Sequence, residues 1–504
     1  MTFTSNSDVA APGVATPTPS RRTGRWIDDW RPEEPEFWSQ TGKAVARRNL
    51  IWSIFAEHLG FSVWLIWSVS SAFLVATGFD YSPQQLFLLV ALPNLVGSLL
   101  RLPYTLAVPK FGGRNWTMAS AAMLLIPTLG FGYAVQRPDT PFWVFCLIAA
   151  TAGLGGGNFA SSMANINFFY PAHKKGAALG LNASGGNLGV SLIQLFLPVV
   201  VGGAGVFGIV KAADGGINLE RAAWVYAGLA VVATLAAYLF MDNLGTAKSP
   251  PREQLQVVRR RQTWIMAFLY IGTFGSFIGY SAAMPLLIKL HFWVSAPAPL
   301  GTGIYFAYFA FLGALVGSVT RPFGGWLADR LGGARVTLGA FAAMVGFTLA
   351  VLWTLMQLTP NPTAVPTIAE GNQSWFPWFL GFFLCVFAAT GIGNGSTYKM
   401  IPAIWRTEAE RATTPGTPER QAALSAGTKQ ASAAIGVIGA VGAMGGFLIP
   451  MAFGAPWVED PMSAAKGAFV VFIGFYVICA AVTWFVYLRR PAEVRATSFA
   501  GAGI

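Results

Sequence analysis

Twelve stretches of this 504-residue chain are each apolar over about 20 residues or more, the first at about 50–75 and the last at about 466–488. About 20 apolar residues in helical form cross the hydrocarbon core of a bilayer. Inside that core every backbone N–H and C=O must be satisfied within its own segment, so each stretch is predicted to be a helix. Composition agrees, with 54% of the residues hydrophobic and 11% charged, against about 25% charged in soluble chains. A soluble core has no room for so much apolar surface. The expected class is an all-α membrane protein of twelve transmembrane helices, with the lipid bilayer as its solvent.

The basic residues give the topology. Of 33 Lys and Arg, 24 lie in the two tails and the alternate loops on the side of the N-terminus, five lie on the opposite side and four lie within the stretches. Positive loops stay in the cytoplasm. Both termini are therefore expected there, in a multi-pass protein of the inner (plasma) membrane. The net charge of +12 is then a topology signal, and no nucleic-acid partner is expected.

The organisation reads as a cytoplasmic tail (1–48), a six-helix bundle (49–241), a linker (242–262) with Pro250, Pro251 and Arg259–Arg261, a second six-helix bundle (263–488) and a C-terminal tail (489–504). Residues 1–25 have a disordered composition. Residues 26–48 carry Trp26, Trp30, Phe37 and Trp38 and are expected against the membrane surface. Cys146, Cys385 and Cys479 stand alone, and His58, His173 and His291 are far apart. No disulfide framework, metal site or cofactor is expected, and too few axial ligands remain for a haem oxidoreductase. The chain reads as a carrier rather than an enzyme.

The halves repeat. The second stretch has Gly97-Ser98-Leu-Leu-Arg101 and the eighth has Gly317-Ser318-Val-Thr-Arg321, 220 residues apart. The fourth has GLGGGN (153–158) and the tenth GIGNG (391–395). Two related halves around a central site are a transporter architecture, and the pattern predicts two pseudo-symmetric six-helix bundles.

Arg101 and Arg321 are the sharpest functional signal. An arginine at the centre of a spanning helix costs about 2.5–3.5 kcal/mol on insertion scales, and it does not deprotonate. Two guanidiniums about 8 Å apart repel by about 2 kcal/mol at an effective dielectric of 20. An anion between them reverses the sign. Pairing with buried carboxylates is the bland alternative, but only Glu57 lies clearly inside a stretch, and one glutamate cannot neutralise two arginines. The planar guanidinium fork suits a small planar oxyanion.

Residues 153–189, GLGGGNFASSMANINFFYPAHKKGAALGLNASGGNLG, closely resemble the first signature of the nitrate/nitrite porter family (NarK-type transporters) of the major facilitator superfamily. GIGNGSTYKMIPAIW (391–405), followed by GVIGAVGAMGGFLIP (436–450), resembles the second, and GGWLADRLGG (324–333) is similar to the superfamily's cytoplasmic loop motif. The resemblance covers residues 26–490. It implies the major facilitator fold, nitrate and nitrite as partners, and a single-chain carrier. It also implies that Arg101 and Arg321 clamp the substrate, with Asn187, Tyr270, Phe159 and Phe274 as the remaining substrate-contacting residues. On that reading Phe159 and Phe274 sandwich a flat anion while Tyr270 and Asn187 donate to its edge.

Gly176 and Gly180, and Gly436, Gly439, Gly442 and Gly445, are expected to let helices pack closely and slide as the halves rock. Glu57 is open to two readings: a proton-coupling carboxylate, or an ion-pair partner of Lys399 or Lys429 at the cytoplasmic gate. The function expected is nitrate/nitrite exchange by alternating access. Proton-coupled nitrate symport through Glu57 is the nearest alternative, and a non-transporting anion sensor on the same fold is the one from another class.

Overall fold

The computed structural model describes residues 21–22, 25–202, 216–247, 256–294, 302–360, 371–489 and 504. The tail at 1–20, Lys211, the linker prolines Pro250 and Pro251, and residues 490–503 lie outside the described residues. Among the described residues, twelve helical segments are long and apolar enough to span a membrane: α1 (Pro35–Thr77), α2 (Pro83–Phe111), α3 (Gly113–Ala134), α4 (Phe142–Phe169), α5 (His173–Val200), α6 (Glu220–Phe240), α7 (Arg261–Phe292), α8 (Phe306–Leu331), α9 (Gly333–Met356), α10 (Gly371–Arg411), α11 (Pro418–Phe453) and α12 (Pro461–Leu488).

Local chemistry sets the helix ends. α2 begins at a capping box in which the Ser82 hydroxyl accepts from the Gln85 backbone N–H at 3.3 Å and the Gln85 side chain accepts from the Ser82 N–H at 2.9 Å, which satisfies two otherwise orphaned donors. α12 begins at Asp460, whose carboxylate accepts from the backbone N–H groups of Met462 and Ser463. The α2–α3 and α8–α9 corners turn at Gly112 (φ 88°) and Gly332 (φ 89°), a left-handed backbone that glycine adopts without a Cβ clash. Those two glycines stand at the same 220-residue offset as the two arginines, and so extend the repeat.

The repeat is also a packing pattern. A Cβ on Gly156 of α4 would lie 2.9 Å from the Cα of Gly97 on α2, and one on Gly391 of α10 would lie 2.3 Å from the carbonyl oxygen of Gly317 on α8. Each Gly-Ser-x-x-Arg segment therefore lies directly on a glycine-rich helix, and the close backbone approach fixes where its arginine starts.

The apolar residues before and at the start of α1 are buried against the protein rather than laid out on a surface. Ile27, Trp30, Phe37 and Trp38 are buried in a second apolar cluster with Val45, Leu50, Ile166, Phe169 and Leu244, and the Trp30 indole donates to the Phe168 carbonyl at 3.1 Å. The burial of four large apolar side chains outweighs interfacial placement. Beside this cluster Asp242, after α6, accepts from Arg48 at 2.5 Å and from Arg25 at 3.1 Å.

The two halves meet on the face away from the termini. There the Lys289 ammonium of α7 donates to the Ala72 carbonyl of α1 at 2.6 Å, Gln84 of α2 donates to the Val458 carbonyl at 3.1 Å, and the rings of Phe73 and Phe306 are 5.1 Å apart. On the face of the termini, residues of α5 and α11 such as Ala177 and Ser425 are exposed. The halves also touch toward the termini, where the Asn167 amide of α4 donates to the Ser432 hydroxyl of α11 at 3.4 Å.

Candidate anion site

Arg101 on α2 is fully buried and Arg321 on α8 is 5% exposed. The Arg101 guanidinium carbon lies 4.8 Å from the ring centres of both Phe159 (α4) and Phe274 (α7), and 5.4 Å from Trp64 (α1). That of Arg321 lies 5.7 Å from Phe159 and 5.5 Å from Tyr398 (α10). Phe159 thus touches both cations, and the separation of the two guanidinium carbons is bounded by the sum of their distances to it. Neither arginine forms an ion pair among the described residues. Aromatic faces offset part of the cost of burying a cation but do not neutralise it.

Among the designated residues, polar atoms are buried without partners. Arg101 Nη2, Arg321 Nη1, the Tyr270 hydroxyl and both amide atoms of Asn187 make no hydrogen bond. An unsatisfied buried donor costs about 1–3 kcal/mol, more for a charged one. Such a group of atoms in one membrane core is what a site awaiting a polar ligand requires. Five of the six sequence-designated residues, Arg101, Arg321, Phe159, Tyr270 and Phe274, are brought together through ring and cation contacts. Asn187, buried on α5, shares no ring contact or hydrogen bond with them among the described residues.

The local backbone places the aromatics. Residues Ile271–Gly275 of α7 form a π-helical turn, a wide turn that recurs at functional sites, and it carries Phe274, whose ring stacks on Tyr270 at 5.3 Å. Gly442 of α11 leaves room for that tyrosine, since a Cβ there would meet Tyr270 Cδ1 at 2.4 Å. Gly445 lies on Gly275, where a Cβ would be 2.5 Å from its Cα, and Gly436 lies on Thr105. Gly439 does more than pack, because its carbonyl accepts from Arg101 Nη1 at 3.0 Å.

Three expectations are corrected. The Phe159 and Phe274 ring centres are 6.1 Å apart. Two van der Waals contacts of about 3.5 Å need about 7 Å, so a planar anion does not fit between the rings in this state, and the Arg101 guanidinium sits against both instead. Gly176 and Gly180 pack against nothing, with open space where a Cβ would stand. On α5 the close-packed glycines are Gly185, Gly186 and Gly189, which lie on Ile54, Glu57 and the His58 carbonyl of α1. Glu57 pairs with neither lysine: Lys399 bonds Asp329 at 2.5 Å, and Lys429 is exposed.

Glu57 is fully buried. One of its oxygens accepts from the Ser162 hydroxyl and, at 2.7 Å, from the Asn182 amide; the other has no partner. Ser162 is one turn beyond Phe159 on α4, and both arginines act on Glu57 electrostatically. Neighbouring His58 points elsewhere, its ring nitrogen 3.1 Å from the Gly185 carbonyl. The wall also includes Trp64, Tyr398, Ser162 and Asn182, which no sequence argument singled out. Of these, Ser162, Asn182 and Tyr398 lie within the quoted signatures, and Trp64 lies outside them.

The sequence matches the family described as Major Facilitator Superfamily over residues 59–450. It is 41% identical to the nitrate/nitrite transporter NarU of Escherichia coli (strain K12), over 92% of this chain and 96% of that one. It is 42% identical to NarU of Salmonella typhimurium, over 93% and 97%. Among solved structures, a D-xylose-proton symporter shares the fold with a TM-score of 0.56 at 15% identity, over 86% of this chain and 96% of that one. The family match over residues 59–450 and the 41% and 42% identity to NarU over nearly the whole chain make it a member of the NarK-type nitrate/nitrite porters of the major facilitator superfamily.

Proposed function

We propose that this chain carries nitrate and nitrite across the inner membrane, exchanging one for the other by alternating access, with the anion held between Arg101 and Arg321. The observation that carries the reading is the pair of buried, unpaired guanidiniums surrounded by orphaned polar atoms. An empty carrier confines two like charges and resists closing; a bound anion offsets the repulsion and lets the halves rock either way. Tyr270 and Asn187 donate to the anion, and Phe159 and Phe274 shape its surroundings. The whole pathway lies within one chain, so it works as a monomer. The basic loops orient both termini to the cytoplasm, with 1–48 and 489–504 as tails and 242–262 as the linker between the bundles.

The experiment is to replace Arg101 and Arg321 singly by Lys, which keeps the charge and loses the planar fork. Each variant should insert and fail to transport nitrate. Near wild-type uptake by both contradicts the clamp. One observation favours a second reading, proton-coupled nitrate uptake: a carboxylate, Glu57, is buried against Ser162, which lies one helical turn beyond Phe159 on α4, and one of its oxygens is unpartnered. In that reading Glu57→Gln abolishes acid-stimulated uptake into empty vesicles and spares exchange.

A further inference from the structure

The two arginines match in sequence but are held differently. Arg101 Nε donates to the Gly156 carbonyl at 3.3 Å and Nη1 to the Gly439 carbonyl at 3.0 Å, leaving Nη2 alone without a partner. A guanidinium grips an oxyanion through a pair of nitrogens, either Nε with Nη2 or Nη1 with Nη2. For Arg101 each pair includes a nitrogen already engaged by the backbone. Arg321 makes no hydrogen bond to the described residues; only the Tyr270 hydroxyl stands beside it.

The two carbonyls that hold Arg101 also differ in kind. Gly156 is on α4, in the same six-helix half as Arg101, so rocking leaves that bond alone. Gly439 is on α11, in the other half. Its bond to Arg101 belongs to a seam along α2 and α11, where the Ser98 hydroxyl meets Met444 Sδ at 2.8 Å and Gly436 lies against Thr105.

We infer that the arginines divide the work in this state: Arg321 is the primary grip on the anion, and Arg101 ties the two halves together through Gly439 until an anion takes its Nη1–Nη2 end. Loading the site then breaks the cross-half bond in the same step that neutralises the charge, and the empty carrier stays where it is because Arg101 is still tied. This rests on the anion-clamp reading and adds an order of events and separate roles to it. Arg321 contacts substrate, whereas Arg101 transmits occupancy to the helices as well as contacting substrate.

The test separates affinity from turnover in full-length protein in nanodiscs and proteoliposomes, with nitrate as the probe. Arg321→Lys should raise the nitrate Kd by about tenfold or more, while Arg101→Lys should change it by less than about threefold and still stop exchange. Spin labels at Ala177 and Ser425, both exposed toward the termini, should change their separation when nitrate is added to the otherwise wild-type chain. In Arg101→Lys, which keeps the charge but loses the guanidinium tie to Gly439, the label distance should no longer respond to nitrate. Equal loss of affinity in the two variants overturns the division of labour and leaves the clamp standing. A label distance that nitrate does not move in the otherwise wild-type chain overturns it too, even where Arg101→Lys fails to fold. Unchanged affinity and transport in both variants overturn the clamp itself.

Discussion

Arg101 and Arg321 were legible because an intramembrane charge has few structural excuses and the repeat put two of them in register. Trp64, Tyr398, Ser162 and Asn182 were not, because an aromatic or small polar side chain in a membrane helix most often packs or bonds its own helix, and no spacing rule sets these four apart. The ring spacing that a flat sandwich needs was not legible either. Sequence places Phe159 and Phe274 in the same site but not the 6.1 Å between them, which depends on where the two halves stand. The structure changes what each ring is expected to do. Phe159 covers both cations, so Phe159→Ala should weaken nitrate binding more than Phe274→Ala, which uncovers one. Tyr270→Phe removes a single hydroxyl and should cost about 0.5–1.5 kcal/mol of binding. Titration calorimetry of the three variants checks this, and unchanged affinity in all three returns them to ordinary packing.

Among the helices, the glycine-rich segments were readable as close-packing surfaces, and α2 on α4 and α8 on α10 pack that way. Which glycine of a segment faces its partner was not readable on α5, because Gly176, Gly180, Gly185, Gly186 and Gly189 all sit in one run and only the tertiary arrangement turns some of them toward α1. The contrast is testable. Gly442→Ala drives a methyl into the Tyr270 ring and Gly395→Ala drives one to 2.1 Å from the Arg321 carbonyl, so each should destabilise by about 1–3 kcal/mol through overpacking. Gly176→Ala and Gly180→Ala meet open space and should leave stability unchanged or raised by up to about 1 kcal/mol, as alanine replaces glycine within a helix. Thermal unfolding of the four variants in detergent distinguishes the two sets. If Gly176→Ala and Gly180→Ala prove as damaging to stability as Gly442→Ala, the packing assignment is wrong.

At the scale of the molecule, the twelve helices and the division into two bundles followed from hydropathy and charge, whereas the attachment of the N-terminal segment did not, since a tryptophan-rich amphipathic stretch reads equally well as interfacial. Its anchor is Asp242. Burial pushes that carboxyl up, but hydrogen bonds from Arg48 and Asn49 and the charges of Arg48 and Arg25 outweigh it and hold the group below its ordinary 3.8. A lowered folded value means the stabilisation is fully present above the unfolded value and is lost as pH falls through the folded one, so the contact should hold at neutral pH and fail only below about 3.8. Asp242→Asn leaves two arginines without their carboxylate and should cost about 1–3 kcal/mol at pH 7, less than a fully buried pair. The loss should shrink at strongly acidic pH, and an equal loss at every pH would assign it to packing alone.

The central claim concerns what drives the transport cycle, and counterflow in proteoliposomes tests it most directly. Labelled nitrate should enter vesicles loaded with nitrite and should not enter empty vesicles at any imposed pH gradient, because the empty site with its two arginines does not return without an anion. Robust nitrate uptake into nitrite-free vesicles under an acid-outside gradient, abolished by Glu57→Gln, would contradict exchange and make Glu57 the coupling group.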